Sequence, residues 1–313
     1  MTDNPALTFG LSMALGMLAQ ALARRMRIPG IIILLAAGLL FGPDGLNWIQ
    51  PDSLGSAMHI IVGFAVAVIL FEGGMNLRIS RIKREQLAIQ GLITISAFIT
   101  LVGGTLSTLF FLDWDFRTSI LFGTLIIVTG PTVISPLLKR IRIHHGVSTI
   151  LEAEGILLDA IGAIVAVVAL EVAISPSGLS LLKGFYHIIT RLGIGTLFGV
   201  TGGALLTLLF RIRRLVPEGL ENVFILSWVF ALFQLSNALS PESGIAAVTI
   251  AGMTIGNSKT YIHRELLEFK EQLTVLMIGM LFILLAADVR LSHIYNLGIN
   301  GVFTVLFLMI IIR

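Results

Sequence analysis

The chain has 313 residues, of which 56% are hydrophobic and only 12% are charged, and its formal net charge is +3. A soluble protein carries about 25% charged residues, and the apolar residues here form blocks near the roughly 20 that cross a bilayer. This composition excludes a soluble globular protein, and the absence of cysteine excludes disulfides and thiolate metal sites. Because the apolar runs are continuous rather than alternating, we predict an all-α polytopic membrane protein and not a barrel.

Eleven apolar segments are predicted to form helices. In chain order they are residues 6–23, 29–42, 54–74, 87–112, 119–138, 149–174, 188–210, 223–239, 244–256 and 273–287, with the eleventh starting near residue 297. The first follows Asp3 and no small-residue cleavage site ends it, so we interpret it as a retained helix and not a cleaved signal. The eleventh runs into Arg313. We therefore expect residues 1–313 to be one transmembrane domain, cut from a longer protein.

The charges of the predicted loops alternate in sign. Clusters of Arg and Lys follow helices one, three, five, seven and nine, and Lys183 and Arg191 are the main exceptions. The intervening loops contain Asp44, Asp52, Asp113, Asp115 and Glu242. By the positive-inside rule the odd-numbered loops are cytoplasmic and the N-terminus lies outside. These loops also account for the net positive charge, so no nucleic-acid partner is predicted.

The fifth predicted helix contains helix-breaking residues in mid-span. Residues 128–136 include Gly130, Pro131 and Pro136. Proline removes a backbone donor, and glycine frees the backbone to unwind. The freed carbonyl groups need protein, water or an ion, and transporters use such broken helices as binding sites. Gly130 and Pro131 are therefore candidate supporting residues of a site, with a simple proline kink as the alternative.

The sixth predicted helix carries the costliest charge in the sequence, Asp159, which stands inside an apolar run. Ionisable groups in membrane helices usually mark an ion or proton path. Glu154 comes five residues earlier, about 140° around the helix and about 7.5 Å along it, so the two acids are predicted to have different roles. One faces the path and the other is paired structurally. The alternative for Asp159 is a buried carboxylate bonded to a neighbour.

Two further charges accompany these acids. Glu72 lies about one turn before a basic loop, where it is either an acid of an entry funnel or a partner of Arg78 or Arg81. Arg313 follows an apolar run and is either a buried cation that needs an anion, with Glu154 as a candidate partner, or an interfacial arginine.

Three glycine pairs fall inside predicted helices. They are Gly73-Gly74, Gly103-Gly104 and Gly202-Gly203. Small residues let membrane helices approach closely, so we predict packing and not phosphate binding at these pairs. No nucleotide loop, zinc-protease motif or deaminase signature is present in the sequence.

These motifs together resemble those of a known family. Phe71-Glu72-Gly73-Gly74, then Thr129-Gly130-Pro131-Thr132, then Glu154 with Asp159 five residues on, are similar in order and spacing to the bacterial monovalent cation/proton antiporters of the NhaP type. The resemblance covers essentially the whole chain. It implies an inverted-repeat bundle of about thirteen helices with broken transmembrane helices, usually dimeric, in the bacterial inner membrane.

The resemblance also implies roles for single residues. Asp159 binds either a cation or protons, and the backbone carbonyl of Thr129 contributes to the ion. Glu154 pairs with an arginine of helix eleven, a position that Arg313 fits. Glu72 is expected near the cytoplasmic funnel. No cofactor is implied beyond the transported proton and cation, and the partners are these ions, the lipid bilayer and a second copy of the chain.

The sequence departs from the family pattern at three positions. Many members have Asp where this chain has Gly130, some have Ser where it has Gly155, and most have Asn where it has Leu158. The first two changes remove side-chain oxygens from the ion shell, and the third removes an amide. These changes are expected to affect ion selectivity and affinity but not the architecture. The family also carries two further helices after the point where this chain ends.

We predict a secondary active antiporter, and not an enzyme, that exchanges protons for Na⁺. Competition of the two ions for Asp159 couples their fluxes one for one, and access alternates as one bundle rocks against the other. A K⁺/H⁺ antiporter or potassium efflux system, with a nucleotide-binding domain further along its gene, is the first alternative. An intramembrane aspartyl protease needs a second aspartate in a neighbouring helix core, which the sequence lacks. A solute symporter of related fold is a weaker alternative.

Overall fold

The computed structural model describes residues 4–129, 145–174, 180–212, 220–258 and 264–312. Over these ranges the protein is helical and contains no strand. Seven of the described helices are long and apolar enough to cross a membrane, and three shorter helices are also apolar.

The helices follow one another along the whole chain. They are α1 (Pro5–Met26), α2 (Gly30–Phe41), α3 (Ser56–Asn76), α4 (Ile79–Arg84), α5 (Gln86–Phe111), α6 (Phe116–Leu125), α7 (His145–Ile174), α8 (Ser180–Arg211), α9 (Glu221–Leu239), α10 (Ser243–Gly256), α11 (Arg264–Asp288), α12 (Leu291–Asn296) and α13 (Gly298–Phe307). A 3₁₀ turn covers Pro51–Leu54, and π-helical turns cover Leu92–Ser96 inside α5 and Leu308–Ile312 after α13.

The predicted helices are confirmed in order, and most of their ends agree within a few residues. Helices α8 and α11 begin earlier than predicted, at Ser180 and Arg264, because polar residues in their first turns interrupt the apolar signal. Helix α6 ends at Leu125, before the predicted break at residues 128–136. The six-residue helices α4 and α12 were not predicted, since both are too short and polar to register as apolar segments.

Side-chain caps begin two of the helices. Asn4 accepts hydrogen bonds from the first backbone N–H groups of α1, and Asp115 does the same for α6. Hydrogen bonds from the hydroxyl and backbone of Thr118 hold the pKa of the exposed Asp115 carboxyl below its ordinary value. Both caps satisfy donors that a helix start leaves without partners.

The chain divides into two compact units, and the first comprises residues 1–72, 216–230 and 261–296. Here α1 and α2 pack against α11. A Cβ added to Gly16 would lie 2.6 Å from the carbonyl carbon of Gly279, so only glycine permits this approach. Leu34, Ile283 and Leu284 fill the core between these helices.

The second unit comprises residues 73–215, 231–260 and 297–313. Its most enclosed helix is α10, in which ten of 14 residues are buried. Helix α8 packs against α10 through Gly195, Gly199 and Gly203, where an added Cβ would lie within 3 Å of atoms of α10. Gly74 likewise faces the backbone of Thr249 at a distance that admits no side chain, and Gly103 packs against the Ile312 side chain. The predicted packing role of the three glycine pairs is therefore confirmed.

Helix α7 occupies the middle of the second unit. It packs against α4, α5, α6, α8 and α10. Five helices of the second unit thus contact the helix that carries Glu154, Asp159 and Glu171.

Candidate functional site

Asp159 stands at the midpoint of α7. The helix has 30 residues, which places Asp159 about 22 Å from either end at 1.5 Å per residue. The flanking side chains of Leu158 and Ala160 are buried, whereas Asp159 is half-buried. Among the described residues, none forms a hydrogen bond or ion pair with its carboxylate. The alternative of a carboxylate bonded to a neighbour therefore has no support within these ranges.

Thr129 reaches α7 from the segment that follows α6. Helix α6 ends at Leu125, and residues 126–129 continue without helical structure. The Thr129 hydroxyl donates a hydrogen bond of 2.9 Å to Oε1 of Glu154. The sequence predicted a role for the Thr129 carbonyl but not this contact of its hydroxyl. The only feature of the sequence that pointed to this hydrogen bond was a threonine next to the predicted helix break.

A second contact holds the same segment against α7. A Cβ added to Gly162 would lie 2.6 Å from Cγ2 of Val128, so the Val128 side chain packs directly against the α7 backbone at Gly162. Glu154 and Gly162 lie about 12 Å apart along the helix, on opposite sides of Asp159. The non-helical segment therefore contacts α7 both before and after the aspartate.

Several predicted site residues lie outside the described ranges. These are Gly130, Pro131 and Arg313. The pairing of Glu154 with Arg313 and the oxygen of the Thr129 carbonyl as an ion ligand stay predictions. The other two positions that depart from the family pattern are described: Gly155 and Leu158 are both buried, and neither offers a side-chain oxygen to the surroundings of Asp159.

Glu72 belongs to the first unit and lies near the end of α3. It is half-buried and lines a small pocket. Asn222, from the first turn of α9, lines the same pocket. Sequence reasoning missed Asn222 because it stands just before the apolar run that predicted this helix. Glu72 is assigned to the first unit and Asp159 to the second.

Glu171 of α7 forms an ion pair with Arg191 of α8. Oε1 of Glu171 lies 2.6 Å from a guanidinium nitrogen of Arg191, and Nδ1 of His187 lies 3.4 Å from the other carboxylate oxygen. The Arg191 side chain is only 4% exposed. Arg191 was an exception to the alternation of loop charges, and the reason is that it belongs to a helix-helix ion pair and not to a loop.

Comparison with known proteins gives a consistent result. The family described as "Sodium/hydrogen exchanger, transmembrane" matches residues 10–313. The K⁺/H⁺ antiporter NhaP2 of Shewanella oneidensis is 31% identical over 276 residues, covering 87% of this chain and 47% of the relative. The Na⁺/H⁺ antiporter 1 of Methanocaldococcus jannaschii is 28% identical over 312 residues, covering 95% of this chain and 71% of the relative. The chain thus spans about half the length of the NhaP2 relatives it matches.

A solved structure shares the fold. The sodium proton antiporter MjNhaP1 from Methanocaldococcus jannaschii, determined at pH 8, matches with a TM-score of 0.81 at 26% identity. The match covers 97% of this chain and 75% of that one. Together with the seven apolar spans, it confirms the predicted all-α, multi-pass membrane fold of antiporter type.

Proposed function

The chain belongs to the sodium/hydrogen exchanger family, and from this premise we propose that it serves as a secondary active antiporter, exchanging protons for a monovalent cation. The observation that carries the proposal is Asp159, a carboxylate at the midpoint of a 30-residue apolar helix, with no protein partner among the described residues. An ionised group in such a place is costly unless something neutralises it. A transported cation or a proton does so.

Competition for one carboxylate couples the two fluxes. Ionised Asp159 attracts a cation, whereas protonated Asp159 is neutral and releases it. The two states exclude each other, so the side chain carries either a cation or a proton at each crossing. With a single carboxylate in the site, exchange is one for one and electroneutral.

The segment at residues 126–129 supports a fixed geometry around Asp159. Its contacts with Glu154 and Gly162 limit how far the Thr129 backbone can move from the aspartate. We assign the Thr129 carbonyl as a ligand of the cation, next to the broken stretch that contains Gly130 and Pro131. Glu154 then has a supporting role, accepting from the Thr129 hydroxyl and pairing with Arg313.

Na⁺ is the cation that we propose first, and K⁺ is the second candidate. The relatives include proteins named as Na⁺/H⁺ and as K⁺/H⁺ antiporters. The buried Leu158 and Gly155 add no oxygen to the shell, so fewer protein ligands replace the water that a cation loses. A site with few protein ligands is least unfavourable for the cation that loses its water of hydration most readily. K⁺ is dehydrated more readily than Na⁺, and this is the argument for K⁺.

The remaining assignments follow the same proposal. Residues 1–313 form an exchanger domain of the bacterial inner membrane, with the N-terminus outside and a second copy as partner. No cofactor takes part. Glu72 is proposed as an acid on the cytoplasmic side, near the basic loop that follows α3.

Reconstitution tests the function directly. The purified protein is placed in vesicles that contain a pH-sensitive dye, and Na⁺, K⁺, Li⁺ or choline is added outside. We expect Na⁺ or K⁺ to drive protons in the opposite direction, at a rate that does not change when the membrane potential is clamped. Equal proton movement with choline, or none with any of the cations, would contradict the proposal.

A further inference from the structure

Helix α4 lies at the surface of the membrane, between two spans. It begins two residues after α3 ends, and α5 begins one residue after α4 ends. Both α3 and α5 are long and apolar enough to cross a membrane. A link of one or two residues reaches at most about 7 Å, so α4 stays beside the ends of these spans, at the depth of the lipid headgroups.

One side of α4 is held against the protein. Ile82 packs against a buried cluster that includes Leu77 and, from α7, Ile156. The side-chain amide of Asn257, at the end of α10, donates a hydrogen bond of 2.7 Å to the Leu77 carbonyl and accepts one of 2.8 Å from the Ile79 N–H. All of these residues belong to the second unit. The contacts fix which side of α4 faces the protein and which side is left exposed.

Three arginines follow one another along α4 at intervals of three residues. Arg78 is the N-cap, and Arg81 and Arg84 lie in the helix. Positions three apart differ by about 60° around a helix and about 4.5 Å along it, so the three lie within an arc of about 120°. We call them the arginine row.

The arginine row has no counter-charge from the protein. All three residues are exposed, and within the described ranges their guanidinium groups form no ion pair or hydrogen bond. Glu85 is the only acid among residues 77–85, and it is not paired with any of them in those same ranges. The positive-inside rule accounts for the side of the membrane on which such cations lie, but not for their arrangement in a row on a helix held in place.

The surroundings of the arginine row indicate the class of partner. A guanidinium group donates two parallel hydrogen bonds to phosphate oxygens, which makes arginine well suited to phosphate recognition. Ile79 and Leu87, near the two ends of the row, are exposed apolar side chains. A partner that is anionic and apolar at once matches both features, and an anionic phospholipid in the adjacent bilayer is such a molecule.

We propose that the arginine row binds the phosphate of an anionic phospholipid headgroup, with the acyl chains of that lipid against Ile79 and Leu87. The guanidinium groups donate hydrogen bonds to the phosphate oxygens. A headgroup that also carries a choline cation is repelled by the row, so the site favours lipids of net negative charge. The inference goes beyond the proposed exchange function, because it requires neither Asp159 nor transport.

Native mass spectrometry of the purified protein in a neutral detergent measures this binding. The protein is titrated with phosphatidylglycerol, which is anionic, or with phosphatidylcholine, which has the same phosphate beside a choline cation. We expect the parent to bind phosphatidylglycerol more tightly. Arg81→Gln should weaken that binding about fivefold, and Arg84→Gln in addition should weaken it about fivefold more. Binding of phosphatidylcholine should not change.

Lys83→Gln is the matched control. Lys83 is exposed on the same helix but lies at least about 100° around it from each member of the arginine row. The variant loses the same charge, and we expect it to keep its affinity for phosphatidylglycerol. Because all the substituted side chains are exposed, the variants should unfold at the temperature of the parent without added lipid, which verifies that each is folded.

Three results would overturn the inference. The first is equal affinity of the parent for the two lipids. The second is a loss of affinity for phosphatidylglycerol in Lys83→Gln as large as that in Arg81→Gln, which would show attraction by general charge. The third is displacement of phosphatidylglycerol by an equal concentration of soluble glycerol phosphate, which would show a site for free phosphate. The exchange function fails on a separate result, namely cation-driven proton flux that survives Asp159→Asn.

Discussion

Two acids five residues apart on α7 have different surroundings. Glu154 accepts a hydrogen bond from Thr129, whereas Asp159 has no such partner among the described residues. The sequence predicted this division from helical geometry, because 140° of rotation prevents both carboxylates from meeting one group. It could not predict the Thr129 hydroxyl as the partner, since that contact depends on where the chain runs after α6 ends.

The Thr129 hydroxyl is expected to contribute to stability as well as to the site. Thr129→Val should lower the free energy of unfolding by about 1–2 kcal/mol, at the lower end for a bond to a charged acceptor because both side chains are only half-buried. Thr129→Ser keeps the donor and should restore most of the loss. The measurement is denaturant unfolding of the purified protein.

Thr124→Val is the matched control, because within the described part of the chain the Thr124 hydroxyl bonds only the Leu121 carbonyl of its own helix. A loss for Thr129→Val no larger than that for Thr124→Val would show that the contact with Glu154 contributes nothing.

The apolar pattern located the helices but not the end of α6. Residues 126–128 are as apolar as those before them, so hydropathy continues past the point where the helix stops at Leu125. Proline at 131 offers no N–H to the carbonyl of residue 127, which explains why a break occurs in this region. The residue at which the helix ends depends on tertiary contacts, because residues 128 and 129 contact α7.

The contact of α8 with α10 makes a prediction at the scale of these elements. A Cβ added to Gly199 would lie 2.6 Å from the carbonyl oxygen of Ala247, so Gly199→Ala should push the helices apart and cost about 1–3 kcal/mol. Gly193 is on the same helix with nothing within 4 Å of such a Cβ, and Gly193→Ala should be neutral or slightly stabilising. Unfolding temperatures compare the two variants, and equal values would contradict the packing described.

At the scale of the whole molecule, the charges of the loops carry information about membrane orientation that the helix bounds do not. They predict an orientation in the membrane, and the exception at Arg191 is explained by an ion pair that no pattern in the sequence could reveal. The division into two units was also beyond the sequence, because each unit is assembled from three separated stretches of chain.

The absence of native cysteine makes the orientation easy to test. Leu46→Cys, in the loop after α2, should react with a membrane-impermeant maleimide in intact cells, because Leu46 is exposed and its loop is predicted to lie outside. Arg81→Cys, in the short basic helix α4 that follows α3, should react only after the membrane is permeabilised. The reverse pattern would contradict an external N-terminus.

The central claim is that Asp159 alone carries the exchanged ions. Its most direct test is proton flux in vesicles reconstituted with Asp159→Asn, beside Glu152→Gln, which removes an acid of the same helix that bonds only Ser148 within the described residues. We predict that Asp159→Asn lowers cation-driven proton flux to the level of protein-free vesicles, whereas Glu152→Gln retains it. Undiminished flux through Asp159→Asn would contradict the account.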